Sequence, residues 1–306
     1  MTDLLARALF QVGLVLLAPP LLLGIVNRVK ALFAGRQGPP LWQAYLDLAK
    51  LLRKGAVYSR TTTWVFRAGP VVGLAAVACA GLMLPVGGQP ALLAFPGDFI
   101  LFAYLLGLAR FFTALAALDT GSSFEGMGAA REVTFASMAE PALFLALIVL
   151  ARATGSLSLS GMLGPGLTGA WSAAAPALLL ALIGLFVVTL AENARIPVDD
   201  PNTHLELTMI HEVMVLDHSG PDLAFILYGA AMKLFLFGAV VVGLVQRSGT
   251  AGPWASRAWF LLGVAGFAVL VGVVESVMAR LRLTRVPQML VGASVLSVFA
   301  LVLLLR

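Results

Sequence analysis

Residues 191–220 read AENARIPVDDPNTHLELTMIHEVMVLDHSG. Counting Asp222 just beyond, this stretch holds Glu192, Asp199, Asp200, Glu206, Glu212, Asp217 and Asp222 out of 15 carboxylates in the chain. It also holds all 3 histidines, His204, His211 and His218. The surroundings are the opposite in character. The chain has 306 residues, 60% of them hydrophobic and 11% charged, where a soluble domain carries about a quarter charged residues. So much apolar surface cannot fit one soluble core, and lipid has to solvate it. Apolar runs of roughly 17–25 residues read as spanning helices. They predict an all-α membrane protein of about eight spans, near 4–27, 69–87, 98–118, 134–153, 173–192, 222–246, 258–281 and 289–305. No internal repeat and no separable soluble domain is visible, so 1–306 reads as one integral membrane domain.

The basic residues orient it. An outside N-terminus places Arg28, Lys30, Arg36, Lys50, Arg53, Lys54, Arg60, Arg67, Arg131, Arg195, Arg280, Arg282 and Arg285 on the inner side. The outer side keeps Arg7, Arg152, Arg247, Arg257 and Arg306, and Arg110 and Lys233 fall within spans. The positive-inside rule therefore predicts both termini outside and cytoplasmic loops at about 28–68, 119–133, 192–221 and 282–288. The net charge of +5 reflects this bias, and no nucleic acid is needed to explain it. The N-terminus has neither a basic n-region nor an A-x-A site, so the first span is expected to remain as an anchor. The single cysteine, Cys79, cannot hold an iron–sulfur cluster, and no span offers a histidine for an intramembrane haem. Any redox chemistry that this chain serves is expected to run through partner subunits.

Three loops carry the chemistry. In the first, GPPLWQAYLDLAKLLRKG (38–55) reads as a helix opened by Pro39 and Pro40 and closed by Gly55. At about 100° per residue, Leu41, Trp42, Tyr45, Leu48, Ala49 and Leu52 share one face, and Gln43, Asp47, Lys50, Arg53 and Lys54 the other. That is an amphipathic surface helix, with its basic side toward lipid head groups or an acidic partner. The second loop carries Asp119, Glu125, Arg131 and Glu132. Glu140, just inside the fourth span and followed by Pro141, is either a proton-path residue or a carboxylate snorkelling to the inner surface.

In the third loop, Pro197 stops the fifth span, and Asp200-Pro201 reads as the cap of a helix running to about His218, with Gly220 past its end. On that helix the histidines fall on one stripe, solvated or facing a partner, and Glu206 points among Met209, Ile210 and Val213. Rings seven residues apart stand about 10.5 Å from each other on a straight helix, too far for one ion, so no metal is expected. A carboxylate in apolar packing exchanges protons near neutral pH unless an arginine satisfies it. Arg195 and Asp199 flank the break and are expected to hold its geometry. Lys233 at mid-span and Glu275 in the seventh span are functional candidates by default. Lys233 is expected to have a buried partner. Arg110 in the third span is a possible counter-charge among these isolated groups, and nothing in the sequence shows that they meet.

The third loop closely resembles that of the membrane subunit of energy-converting NiFe hydrogenases and formate hydrogenlyases, which is homologous to the quinone-chamber subunit, subunit 1, of respiratory complex I. GRQGPPLWQAYLDLAKLLRK, GSSFEGMGAAREVTFASMAEP and MARLRLTRVPQML are similar to the family's other loops, so the resemblance spans nearly the whole chain. Quinone-reducing members usually read E-x-x-R-x-P-F-D-x-x-E-x-E-x-E-L. This chain keeps Glu192, Arg195, Pro197, Asp199, Glu206 and Leu207 and departs at Val198, Asn202 and His204, in the manner of the hydrogenase branch.

The resemblance implies a bundle with complex I subunit 1 architecture in a bacterial or archaeal cytoplasmic membrane. It implies a non-catalytic anchor and coupling subunit of an oxidoreductase complex. NiFe large and small subunits, iron–sulfur subunits and antiporter-like membrane subunits are its implied partners, and the NiFe and iron–sulfur clusters lie in those partners, with no cofactor or metal in this chain. It implies a proton path through Glu140, Glu192, Glu206, Lys233 and Glu275. It leaves loop structure to Arg195, Asp199 and Asp200, and docking of the peripheral arm to Lys50, Arg53, Lys54, Glu125, Arg131 and Glu212. The alternative is the quinone-chamber subunit of a complex I-like dehydrogenase. An autonomous secondary transporter is a third reading, against which the repeat-free sequence and large inner loops stand.

Overall fold

The computed structural model describes residues 2–199, 209–246 and 252–305. Among them are ten α-helices: α1 Thr2–Phe33, α2 Gln43–Leu52, α3 Trp64–Leu82, α4 Asp98–Asp119, α5 Ser123–Thr154, α6 Leu159–Met162, α7 Gly166–Glu192, α8 Gly220–Val245, α9 Pro253–Val277 and α10 Val286–Leu305. All but α2 and the four-residue α6 give runs long and apolar enough to cross a membrane, eight in number. Helices suit that setting because they satisfy their backbone groups internally, where no water is present to do so.

The spans differ from the sequence reading at several ends. α1 continues to Phe33 through Pro19 and Pro20. Proline at 20 removes the N–H that would reach the Leu16 carbonyl. The Tyr228 hydroxyl of α8 donates to that carbonyl at 2.6 Å, and the Tyr45 hydroxyl of α2 donates to the neighbouring Leu17 carbonyl. The kinked helix thus ties the surface helix to the bundle. α2 has no buried residue, and Lys50, Arg53 and Lys54 are exposed. Cys79 lies on an exposed face of α3.

The second loop, expected to run to about 133, is already helix from Ser123. Ser122 and Glu125 have capping-box spacing, but Glu125 accepts a hydrogen bond from the Asp217 N–H at 3.1 Å instead. Gly128 belongs to the helix because Val213 packs on it: a Cβ there would stand 2.2 Å from Val213 Cγ1. α9 ends at Val277 rather than near 281, so Glu275 sits in its last turn.

The expected helix to His218 is also corrected. Asp200, Glu206 and His204 lie outside the described residues, and 209–219 contains only a 3-10 turn, Glu212–Val215. The cause is Asp199, whose Oδ2 accepts the Ile210 and His211 N–H groups, both at 3.2 Å. A continuous helix would direct those donors to carbonyls four residues back. Gly220 opens α8, with proline in its first turn, instead of closing a helix.

Small residues let the helices approach. A Cβ at Gly69 of α3 would lie 2.9 Å from the Ala116 Cβ of α4, and one at Gly184 of α7 would lie 2.9 Å from Ser297 Oγ of α10. Close backbone packing of this kind drives helix association in lipid, where burial from water gives nothing further. α3 lies along α4 and α8, α10 against α5 and α7, and α1 against α9. One end of the bundle gathers α2, the starts of α3, α5 and α8, and the ends of α4, α7 and α9, as the ties Thr63–Asp119, Glu125–Asp217 and Lys30–Glu275 show. Nearly all ionic contacts of the described residues collect in this half.

Candidate functional site

Three polar clusters occupy the ion-rich half. The first surrounds a cavity of about 90 Å³, room for several waters. Its wall comes from α3 (Gly69, Pro70, Gly73, Leu74), α4 (Arg110, Thr113), α5 (Glu132), the α7 end and the residues after it (Glu192, Asn193, Ala194, Arg195), the 209–215 segment (His211, Met214) and α8 (Gly229, Lys233). Small residues at 69, 73 and 229 leave the space, and long charged side chains reach into it.

Glu192 is the node of this cluster. Its Oε1 accepts from Arg110 Nη1 at 2.5 Å, and its Oε2 accepts from Lys233 Nζ at 2.8 Å. Arg110 uses its other terminal nitrogen for Glu140. Four spans, α4, α5, α7 and α8, are therefore joined by one chain of ion pairs, Glu140–Arg110–Glu192–Lys233. Lys233 finds its buried partner in Glu192, and Arg110 meets Lys233 through that shared carboxylate. Two smaller voids, of about 10 and 20 Å³, share Arg110 and Glu192 with the first in their walls. Glu132 lines the first two voids and Glu140 the third. The sequence reading did not single out Glu132, because it assigned 119–133 to a loop. The Ser122/Glu125 spacing was the available signal for a helix that starts earlier.

The second cluster is separate. Glu275 Oε2 lies 2.8 Å from Lys30 Nζ and its Oε1 accepts from Arg195 Nη1 at 3.2 Å. The Glu275 side chain is wholly buried, so it faces these two cations rather than the Glu192 chain. Asp199, besides holding Ile210 and His211, pairs with Arg280 at 2.7 Å, and the Leu281 N–H donates to the Pro197 carbonyl at 2.9 Å. The 195–199 segment is pinned to the ends of α1 and α9 by this network.

The third cluster ties the loops to each other. His218 is buried and stacks on Phe66, centroids 3.9 Å apart and planes at 8°. The Val57 N–H donates to Ser219 Oγ at 3.0 Å, and Arg131 donates to the Met209 carbonyl at 2.9 Å. These contacts correct two expectations. Glu125, expected as a surface docking group, is only 2% exposed and holds the third loop from inside, while Arg131 and Glu212 are half-buried. The described histidines do not form an outward stripe. His218 faces Phe66 and His211 faces the cavity, because the seven-residue spacing lies on a turn rather than one helix.

Burial pushes the His211 imidazole down to about 4, with the Lys233 charge acting in the same direction. Burial also lowers His218, against the opposing pull of Asp222 and Asp217. A ring held neutral when folded and titrating near 6.5 when unfolded adds stability that is complete above about pH 6.5 and lost as pH falls below it. His218→Phe keeps the stack and removes the titration. The variant should lose less thermal stability than the parent on going from about pH 7 to pH 5. An equal acid-side loss in both proteins would show that His218 protonation does not contribute.

The NADH dehydrogenase family model matches residues 6–305. Hydrogenase-4 component C of Escherichia coli (strain K12) is 33% identical over 281 residues, covering 90% of this chain and 88% of that protein. Formate hydrogenlyase subunit 4 of the same organism is 31% identical over 292 residues, 92% of each. A chain of the membrane-bound sulfane sulfur reductase, an archaeal respiratory membrane complex, shares the fold with a TM-score of 0.83 and 22% identity over 99% of each chain. An eight-span bundle with a charged cavity between its helices defines a multi-pass membrane protein of the complex I subunit 1 type. The chain belongs to the NADH dehydrogenase family.

Proposed function

We propose that this protein is the membrane-anchor and coupling subunit of an energy-converting NiFe hydrogenase-type complex, linking electron transfer in soluble partners to proton movement. The observation that carries this reading is the ion-pair chain Glu140–Arg110–Glu192–Lys233, which borders a water-sized cavity beside the loop-rich end of the bundle. Charged groups within spans are costly and cluster at ion pathways. A change in the field at the loops, such as reduction of a nearby partner centre, alters proton affinities in such a chain. The positive-inside bias supports a cytoplasmic position for that end, with both termini on the other side of the inner membrane. Similarity to the hydrogenase-4 and formate hydrogenlyase subunits supports NiFe and iron–sulfur partners, which would carry the clusters, and antiporter-like subunits beside the bundle.

Lys50 on α2 and Arg53 and Lys54 just past its end are exposed at the same end of the bundle. They suit docking of the peripheral arm, and Glu212 is a weaker contributor. Reversing all three to Glu should leave the protein in the membrane and remove the soluble subunits from the solubilised complex. Co-purification of a complete assembly would count against docking by α2. Recovery of bound quinone from the intact complex would favour the quinone-chamber alternative.

A further inference from the structure

We propose that Glu132 is the carboxylate that takes up and releases the proton in the central cluster, while Glu192 stays ionised as a fixed counter-ion. The inference rests on the proton-conducting reading above and assigns its moving proton to one side chain.

The groups facing the cavities come from every packed element. Arg110 comes from α4, Glu132 and Glu140 from α5, Glu192 from α7, Arg195 and Asp199 from the segment after it, His211 from the 209–215 segment and Lys233 from α8. Arg195 shares Glu275 with Lys30, Asp199 pairs with Arg280, and His211 is neutral at working pH. Arg110 and Lys233 are taken up by Glu192 and Glu140, which leaves Glu132 as a lining carboxylate with no ion pair among the described residues. A carboxylate drawn away from water without a partner is costly to keep charged, and a bound proton removes that cost.

Geometry decides which carboxylate holds that proton. Both oxygens of Glu192 are taken by cations. Protonating it would leave Lys233 without its partner. Glu140 is ion-paired with Arg110, so its charge also has a partner. Glu132 makes no ion pair and no hydrogen bond among the described residues. It lines the cavity together with Lys233, Arg110 and Glu192 and is held by none of them. It also lines two voids, of about 90 and 10 Å³, and Arg110 and Glu192 line both with it. A carboxyl so placed can receive a proton from water in one void and give it up to water in the other.

The test uses the full chain in its complex, reconstituted in lipid, and reads protonation directly. Infrared difference spectra between acid and alkaline buffer report the carbonyl stretch of protonated carboxyls. Glu132→Gln should lose one carboxyl's share of that band. The double variant Glu192→Gln with Lys233→Met, which removes the node without stranding the lysine, should keep it, and so should Glu140→Gln. In vesicles, redox-linked proton movement should be lost in Glu132→Gln and recovered in part by Glu132→Asp. An unchanged band in Glu132→Gln, or its loss in the double variant, overturns the assignment. Proton movement at the parental level in a fully assembled Glu132→Gln complex overturns the carrier role. A parental complex that moves no protons, while Glu132→Gln still loses its band, overturns the conducting reading and leaves the proton on Glu132.

Discussion

Glu192→Gln should be among the most destabilising single substitutions in the protein. The carboxylate holds Arg110 and Lys233 at once, with its side chain 5% exposed. Removing one partner from a buried pair costs about 3–5 kcal/mol, because the remaining charge stays buried without compensation. Arg110 keeps Glu140. Lys233 keeps no ion pair among the described residues, so it bears most of the effect. The sharper expectation is therefore a rescue: Lys233→Met in the Glu192→Gln background should restore much of the lost thermal stability in detergent. A double-mutant cycle over these two sites separates their coupling from the single effects. If the double variant is as unstable as the single one, the cost arises elsewhere than at Lys233.

Glu275→Ala should have an effect of similar size and a different signature. Its side chain is wholly buried between Lys30 and Arg195, and its loss leaves two like charges facing each other, again a cost of about 3–5 kcal/mol. Arg195 leads directly into the 196–199 turn that Asp199 holds against Ile210 and His211. The variant should expose the third loop. Limited proteolysis should cut within 195–199 and 209–215 faster than in the parent, while Glu192→Gln/Lys233→Met leaves those two segments as protected as in the parent. Unchanged protection in Glu275→Ala would mean that Asp199 and Arg280 hold the turn without Arg195. Arg195→Ala should then reproduce the parental pattern too.

The amino-acid sequence alone determined the eight spans, the surface helix and the end of the bundle that collects the ionisable residues. These are local properties. A run of apolar residues long enough to cross lipid is legible without knowing its neighbours, and so is the amphipathic period of 43–52. The partners were not legible. Glu192, Arg110 and Lys233 lie on three helices and meet only because the packing sets each helix's rotation and depth. Gly128 admits Val213, and Gly69 lets α3 close on α4.

The third loop shows the same limit. A regular helical wheel points His218 outward, but Asp199 takes the backbone donors of 210 and 211, no α-helix runs through 209–219, and His218 turns inward onto Phe66. Glu125 and Arg131 also turn inward, toward a loop far away in sequence. Composition placed the charges near one another. Only tertiary structure decided which of them are locked in ion pairs and left Glu132 facing the cavity, because pairing depends on distances of a few ångströms between segments that the chain brings together last.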